Sequence, residues 1–215
     1  MPAPPRTTTT PAEAFAVVAI CFGLLIWQSV QAVLAGFPTS PFTDDGTLWL
    51  VATELVLAAA ALSLLHARGF AVATLYPPPS VVGALQGAGL YVVFWLAAVL
   101  AMAPFSSGLA DQPIGTMVSE ARMSLGVVVL LAVVNATFEE IFLLGFLVRG
   151  LRGFGLSAAI GISLLVRLLY HLYQGPLGAV SLLVFGLVVT LYFAASNKLW
   201  PPVFCHMLAD IVPFL

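Results

Sequence analysis

Long apolar runs, each able to cross a lipid bilayer as a helix, constrain this chain more than any other feature. A transmembrane helix needs about 20 apolar residues, and the predicted segments are 13–35, 48–66, 81–103, 123–148, 157–173, 177–195 and 199–214. Only 7% of the 215 residues are charged, against roughly 25% in a typical soluble protein. The sequence therefore predicts an all-α, polytopic transmembrane helix bundle with about seven spans.

The basic residues predict how this bundle is oriented, because Lys and Arg accumulate on cytoplasmic loops. Five of the seven basic residues fall on one side of the predicted spans: Arg6, Arg68, Arg149, Arg152 and Lys198. The loops on the other side are mainly acidic. The N-terminus is therefore predicted to be cytoplasmic. A net charge of −2 and so few basic residues argue against a nucleic-acid partner.

Composition and polar motifs divide the chain into three regions. Residues 1–11 are rich in proline and threonine and are predicted to form a disordered tail. Residues 12–120 are predicted to hold the N-terminal transmembrane helices and a loop. Residues 121–215 carry the polar motifs described next, and we expect their helices to form the catalytic core.

Two adjacent acids, Glu139 and Glu140, lie inside a predicted span. An ionisable residue at membrane depth costs about 2.5–3.5 kcal/mol or more, so such residues tend to mark pathways or chemistry. Neighbouring helical residues point about 100° apart, so one acid can face a polar cavity while the other supports it. Asn135 lies one turn before Glu139, which makes Glu139 the better candidate for a general base in the cavity. The alternative is a glutamate that pairs with arginine for helix packing.

Two further apolar runs carry a histidine four residues from another ionisable group, so that both side chains share one helix face. These pairs are Arg167 with His171 and His206 with Asp210. A lone buried guanidinium needs an acid partner, and Glu140 is the first choice for Arg167. The alternatives are an interfacial His171 and a local hydrogen bond between His206 and Asp210.

The order of these motifs resembles the CPBP family of intramembrane proteases, which includes the CaaX prenyl endopeptidases and the bacteriocin-processing, ABI-type members. The resemblance covers about the last 90 residues. It implies that Glu139 activates water and that Glu140 is the supporting acid. It implies that His171 is the histidine of the second motif, and that His206 with Asp210 holds the developing oxyanion. It also implies a prokaryotic cytoplasmic membrane as the location.

Three residues depart from the family pattern. Leu144 stands where the first motif normally has arginine, and Arg167 stands where the second normally has phenylalanine. We therefore expect Arg167 to pair with Glu140 in place of the missing arginine. Asp210 replaces the usual asparagine, and an ionised carboxylate only accepts hydrogen bonds. Asp210 could stabilise an oxyanion only when protonated; otherwise it orients His206 or binds a metal.

The predicted function is that of an intramembrane endopeptidase that cleaves a membrane-anchored or lipidated protein or peptide, with its site open toward the cytoplasmic half. Whether Zn²⁺ is a cofactor stays open, because Glu139, His171, His206 and Asp210 are a plausible zinc ligand set. However, the sequence has no His-Glu-x-x-His spacing. Two alternatives come from other classes. One is a non-catalytic membrane-binding or immunity protein of the same fold, and the other is a small transporter or proton relay.

Overall fold

The computed structural model describes residues 6–105 and 112–215, and within them the fold is all-helical. The helices are α1 Pro11–Leu34, α2 Asp44–Ala67, α3 Val81–Met102, α4 Pro113–Ser119, α5 Leu125–Glu140, α6 Leu156–Tyr170, α7 Pro176–Ser196 and α8 Trp200–Ile211. Helix α5 continues as a π-helix over Ile141–Val148 and ends with an α-helical turn over Arg149–Leu151.

Five helices in the described ranges are long and apolar enough to cross a membrane, as expected of an integral membrane protein. Their candidate spans are Pro11–Leu34, Asp44–Ala67, Val81–Phe105, Leu125–Phe154 and Pro176–Ser196. The predicted count of about seven spans is therefore not confirmed.

Two predicted spans form shorter helices. Helix α6 has 15 residues and α8 has 12, which correspond to about 22 and 18 Å at the α-helical rise. Both are shorter than a hydrocarbon core of about 30 Å. Their polar C-terminal ends can therefore lie inside the protein instead of at its surface.

The up-and-down path of the chain gathers five basic residues at one end of the bundle. We call this end the basic end; its residues include Arg6, Arg68, Arg149, Arg152 and Lys198. Backbone hydrogen bonds connect its segments, from Arg6 N to Gly69 O at 3.1 Å and from Thr9 N to Gly150 O at 3.2 Å. The cytoplasmic location of this end stays a prediction from the charge distribution.

The opposite end of the bundle, which we call the acidic end, holds Asp44, Asp45 and Glu120. Here Ser124 N donates to Asp44 Oδ1 at 2.7 Å, and Arg122 N donates to Phe42 O at the same distance. These bonds join the segment that precedes α5 to the first residue of α2 and to the loop between α1 and α2.

Part of the predicted disordered tail contacts the basic end. Arg6 and Arg68 both donate hydrogen bonds to the buried carboxylate of Glu13, the latter at 3.1 Å. Thr10 caps α1 in a reciprocal capping box with Glu13, a motif that satisfies two free helix N–H groups. Residues 1–5 of the tail lie outside the described residues.

Glycines bring α3 close to α8, the helix that carries His206 and Asp210. A Cβ added at Gly87 would lie 2.7 Å from Pro201 O and 2.9 Å from Phe204 Cβ. Small residues permit such close backbone contact between helices in membranes. This contact fixes α8 against a long candidate span.

The close contact at Gly87 predicts that alanine is more destabilising there than at another glycine of the same helix. Replacing Gly87 with Ala should lower the unfolding temperature in detergent, because overpacking costs about 1–3 kcal/mol. Gly89→Ala is the matched control, since a Cβ there has nothing within 4 Å. It should leave stability unchanged or raise it by up to about 1 kcal/mol. Equal losses in both variants would contradict the proposed contact.

Candidate active site

Helices α5, α6 and α8 bring the predicted site residues together inside the bundle. Glu139 Oε1 lies 3.9 Å from His171 Nε2, and Glu139 Oε2 lies 3.8 Å from His206 Nε2. His206 Nε2 also lies 3.6 Å from Asp210 Oδ1. Glu139 and both histidines are buried. Three distant stretches of the chain thus meet at one carboxyl group.

The short helix α6 explains how His171 reaches the depth of Glu139. The sequence predicts that this segment continues to residue 173 as one span, but α6 ends at Tyr170 and His171 follows as its C-terminal cap residue. The next turn, Leu172–Gln174, is a 3₁₀-helix. Its residue Tyr173 donates its backbone N–H to the Ser29 hydroxyl of α1 at 3.0 Å, which anchors the turn against the bundle.

The two adjacent glutamates have different surroundings. Glu139 lines a cavity of about 800 Å³. Glu140 is completely buried, accepts two bonds from Arg167 Nη2 at 2.8 and 2.9 Å, and contacts His206 Nδ1 at 2.7 Å. This is the division expected for neighbouring residues on one helix, with one acid at the cavity and the other supporting it.

Arg167 joins the two acids. Besides its contacts with Glu140, its Nη1 donates to Glu139 Oε2 at 3.2 Å. The guanidinium carbon also lies 5.2 Å from the centre of the Phe185 ring, within the range of a cation–π contact. The predicted pairing of Arg167 with Glu140 is therefore present.

Leu144, at the position where the family motif has arginine, is buried in an apolar cluster. The cluster includes Phe193, Leu199 and Val203. An arginine at this position would need an acid partner, and the cluster offers none. The guanidinium therefore comes from α6.

The hydrogen bonds of the two histidines determine which ring nitrogen is available. His171 Nδ1 lies 3.0 Å from Arg167 O, and because a carbonyl only accepts, Nδ1 must carry the proton. His206 Nδ1 contacts the Glu140 carboxylate, so it also acts as the donor. Each ring therefore directs its Nε2 toward Glu139, and a neutral His171 offers a lone pair there.

Three residues that were not assigned to the site from the sequence complete it. Tyr170 donates its hydroxyl to Glu139 Oε2 at 2.5 Å, and Asn135 Nδ2 donates to Asp210 Oδ2 at 3.0 Å. Glu54 of α2 lines the same cavity. Sequence signals exist for the first two, since Asn135 shares a helix face with Glu139 and Tyr170 lies three residues after Arg167. Glu54 lies in a distant span, and no local sequence pattern connects it with the other site residues.

The π-helix begins directly after the glutamates, and one of its carbonyls is satisfied by α6. The Ser163 hydroxyl donates to Leu143 O at 3.2 Å. π-Helical turns are rare and occur frequently at functional sites. This element was not predicted from the sequence, since its apolar pattern fits an ordinary α-helix equally well.

The donor set does not fit a metal ion well. Glu139, Glu140 and His206 each offer one atom within 4.8 Å of the others. However, the guanidinium of Arg167 contacts both carboxylates at 3.2 Å or less. A metal cation would compete with this fixed positive charge. The site residues therefore support a reaction without a metal step better than the zinc alternative.

The cavity extends toward the acidic end of the bundle. Its lining includes Phe42 from the α1–α2 loop, Met117 from α4, and Phe214 at the C-terminus. On the other side of the glutamates, every residue of Phe142–Val148 is buried and apolar or glycine. The expectation of a site open toward the basic, predicted cytoplasmic half is therefore wrong, because the cavity beside Glu139 extends toward the acidic end instead.

The cavity location and the charge distribution together predict which reagents can reach the site. A Ser40→Cys variant, at the exposed cavity lining, should react in intact cells with a membrane-impermeant thiol reagent. Ala67→Cys, exposed beside Arg68 at the basic end, should react only after the cells are opened. Native Cys21 and Cys205 are buried, and the unmodified chain gives the background. The reverse pattern would contradict the predicted orientation.

The Arg167 network predicts a large loss of stability when the guanidinium is removed. Arg167→Leu leaves buried carboxylates unpaired and should cost about 3–5 kcal/mol in the free energy of unfolding. Arg152→Leu is the control, because Arg152 donates to Ala194 O and one such bond contributes about 0.5–1.5 kcal/mol. Denaturant titration in detergent measures both, and a similar loss in the two variants would contradict the network.

Comparison with protein families confirms the resemblance drawn from the motifs. Residues 121–212 match the family model described as Type II CAAX prenyl endopeptidase Rce1-like. This range contains α5 to α8 and all six site residues predicted from the sequence. The family is one of proteases. No curated protein and no solved structure matches the chain.

Proposed function

We propose that this chain, whose residues 121–212 match the Rce1-like endopeptidase family model, hydrolyses a peptide bond of a membrane-anchored or lipidated protein or peptide. The observation that carries the proposal is the position of Glu139. Its carboxylate lines the cavity and lies within 4 Å of the Nε2 atoms of both His171 and His206. A base and two imidazoles around one cavity suit hydrolysis of a carbonyl compound.

The two oxygens of Glu139 have different tasks in this mechanism. Oε2 accepts bonds from Tyr170 and Arg167, which fix the carboxylate. Oε1 lies 3.9 Å from His171 Nε2, and one water at hydrogen-bond lengths of about 2.8 Å can bridge these two atoms. Glu139 removes a proton from this water as the oxygen attacks the scissile carbonyl, and later returns the proton to the leaving amine.

His206 stabilises the negative charge that develops on the carbonyl oxygen. Its Nδ1 is bound to Glu140, so Nε2 acts as the donor when the ring is protonated. Asp210 lies 3.6 Å from Nε2 and is held by Asn135. We assign Asp210 the task of orienting His206, because an ionised carboxylate cannot donate to an oxyanion.

The walls of the cavity suit a substrate that enters from the membrane. Its volume of about 800 Å³ is within the range of roughly 300–1,000 Å³ typical of ligand cavities. Apolar side chains such as Leu50, Phe94 and Leu131 form much of the lining. Such walls accommodate an apolar segment or a lipid chain next to the scissile bond.

Two alternatives remain open, and one observation bears on each. For a transporter or proton relay, a polar path to both ends is needed, but the described residues of Phe142–Val148 form a buried apolar block. For a non-catalytic binding or immunity protein, no general base oriented toward a cavity is needed. The fixed orientation of Glu139 thus favours the protease.

Replacement of the base tests the proposed function. The purified protein and Glu139→Gln are each incubated with a library of membrane-anchored peptides, prenylated and unprenylated, and new termini are identified by mass spectrometry. Glu139→Gln should abolish cleavage, because the amide cannot accept the proton. His206→Ala should lower kcat by about 10²–10³, as expected for loss of one oxyanion donor. Glu120→Gln, exposed near the acidic end, is the control and should cleave normally.

The same assay with and without a chelator separates the two hydrolytic mechanisms. Cleavage that is lost in Glu139→Gln and untouched by the chelator supports the proposed route. Cleavage that survives Glu139→Gln would exclude Glu139 as the base, and loss of cleavage with the chelator would favour the zinc alternative.

A further inference from the structure

A second cavity lies at the basic end of the bundle and is separate from the candidate active site. Its volume is about 490 Å³, and none of its described lining residues lines the cavity beside Glu139. The segment before α3, the start of α3 and the turn between α7 and α8 contribute to its walls. Its described lining contains two cations, Arg149 and Lys198, and no aspartate or glutamate. We call this cavity the Arg149 pocket.

The charge of Arg149 is not balanced by an acid among the described residues. Its Nη1 donates to a backbone carbonyl, Thr74 O, at 2.5 Å, and its Nε has no hydrogen-bond partner there. By contrast, Arg6 and Arg68 at the same end both bind Glu13. Arg149 is only partly exposed, and a cation that is partly removed from water is normally paired. An anion from outside the chain can supply the missing counter-charge.

The two cations of the Arg149 pocket suit the oxygens of a phosphate group. The guanidinium of Arg149 lies 5.3 Å from the centre of the Phe193 ring, which limits its orientation. Lys198 is exposed and directly follows Asn197, the left-handed C-cap residue of α7. A guanidinium presents a planar fork of donors that matches phosphate, and an ammonium group adds a mobile point charge.

The α3 side of the pocket is apolar, and this surface continues along the helix. Val82 belongs to the lining and is 65% exposed, and Leu85 on the next turn is 70% exposed. Val92 and Leu96 are also exposed and share this face at 100° per residue. Helix α3 is a candidate membrane span, so acyl chains can lie along this face. A soluble phosphate would gain nothing from it.

Aromatic side chains indicate that the pocket lies at the level of the lipid headgroups. Trp200 donates its indole N–H to Ser80 O at 3.0 Å. A Cβ added at Gly83 would lie 2.5 Å from Trp200 Cδ1, so the ring packs directly against α3. Tyr76 is exposed and also lines the pocket. Tryptophan and tyrosine are enriched at the membrane–water interface, where basic pockets between helices bind anionic headgroups.

We propose that the Arg149 pocket binds the phosphate group of an anionic phospholipid, with its acyl chains along α3. Arg149 and Lys198 contact the phosphate oxygens. A headgroup without an amine fits best, because the described lining offers no acid to bind a second cation. Phosphatidylglycerol is such a lipid, whereas phosphatidylcholine carries a quaternary ammonium group. The proposal concerns binding alone and does not assume proteolysis.

Native mass spectrometry of the purified protein in a neutral detergent tests the choice of ligand. Phosphatidylglycerol and phosphatidylcholine with the same acyl chains are titrated separately, and glycerol 3-phosphate serves as the soluble phosphate. We expect phosphatidylglycerol to bind at least tenfold more tightly than either. Equal affinities for the two lipids overturn the proposal. Glycerol 3-phosphate that binds as tightly as phosphatidylglycerol assigns the pocket to a soluble phosphate and overturns the lipid assignment.

Variants that each remove one positive charge test the position of the site. Lys198→Gln should weaken phosphatidylglycerol binding about fivefold, which corresponds to about 1 kcal/mol for one cation near the membrane surface. Arg149→Gln should weaken it about tenfold or more, because several donors are lost. Arg122→Gln removes the same charge near the acidic end and should leave the affinity within about twofold. Equal losses in Lys198→Gln and Arg122→Gln overturn the proposal, even when Arg149→Gln does not fold.

Thermal unfolding provides a second readout, because a ligand that binds only the folded state stabilises it. Phosphatidylglycerol should raise the unfolding temperature of the unmodified protein more than phosphatidylcholine does. This difference should shrink in Lys198→Gln and persist in Arg122→Gln. A difference that persists in full in Lys198→Gln places the lipid elsewhere and overturns the proposed site.

Discussion

The ion pair of Arg167 with Glu140, extended to Glu139, is the interaction on which the rest of the site depends. All three side chains are buried, and one cation serves two carboxylates at 2.8 and 3.2 Å. With its charge balanced, Glu140 can hold His206 through Nδ1. The same guanidinium occupies one oxygen of Glu139 and leaves the other beside His171. The two groups to which we assign catalytic tasks thus take their orientation from a single arginine. Loss of this arginine would leave buried carboxylates without a partner, which is strongly destabilising.

The structure is consistent with a guanidinium on α6 instead of at the arginine position of the motif that the sequence resembles. The π-helix after Glu140 turns Leu144 into an apolar cluster with Phe193 and Val203, where a guanidinium would have no acid to bind. Helix α6 packs against the same π-helix, and Ser163 bonds to its Leu143 carbonyl. Arg167 lies one turn further along α6, within reach of both glutamates. One cation thus lies between the two acids, and α6 supplies it.

The sequence predicted the polar groups of the site but not the helix geometry around them. Charges inside apolar runs are rare enough that Glu139, Glu140 and Arg167 could be identified, and the need to neutralise them predicted the ion pair. The π-helix, the early ends of α6 and α8, and the bond from Tyr170 to Glu139 depend on tertiary contacts that no local pattern specifies. The direction of the cavity was predicted wrongly for the same reason, since it follows from where the short helices end. Glu54 escaped assignment because its neighbours in the site come from helices far along the chain.

A hydrolytic site inside a bilayer must admit water without opening a path across the membrane. Here the two halves of the bundle on either side of the glutamates differ, because one is packed with apolar side chains and the other contains the cavity. Toward the basic end, every residue of Phe142–Val148 is buried and apolar or glycine. Toward the acidic end, the cavity extends past Glu54 to the α1–α2 loop and the C-terminus. In the proposed mechanism, water and a peptide therefore arrive from the same side. The carboxylate that meets them is Glu139, which Arg167 and Tyr170 hold in place.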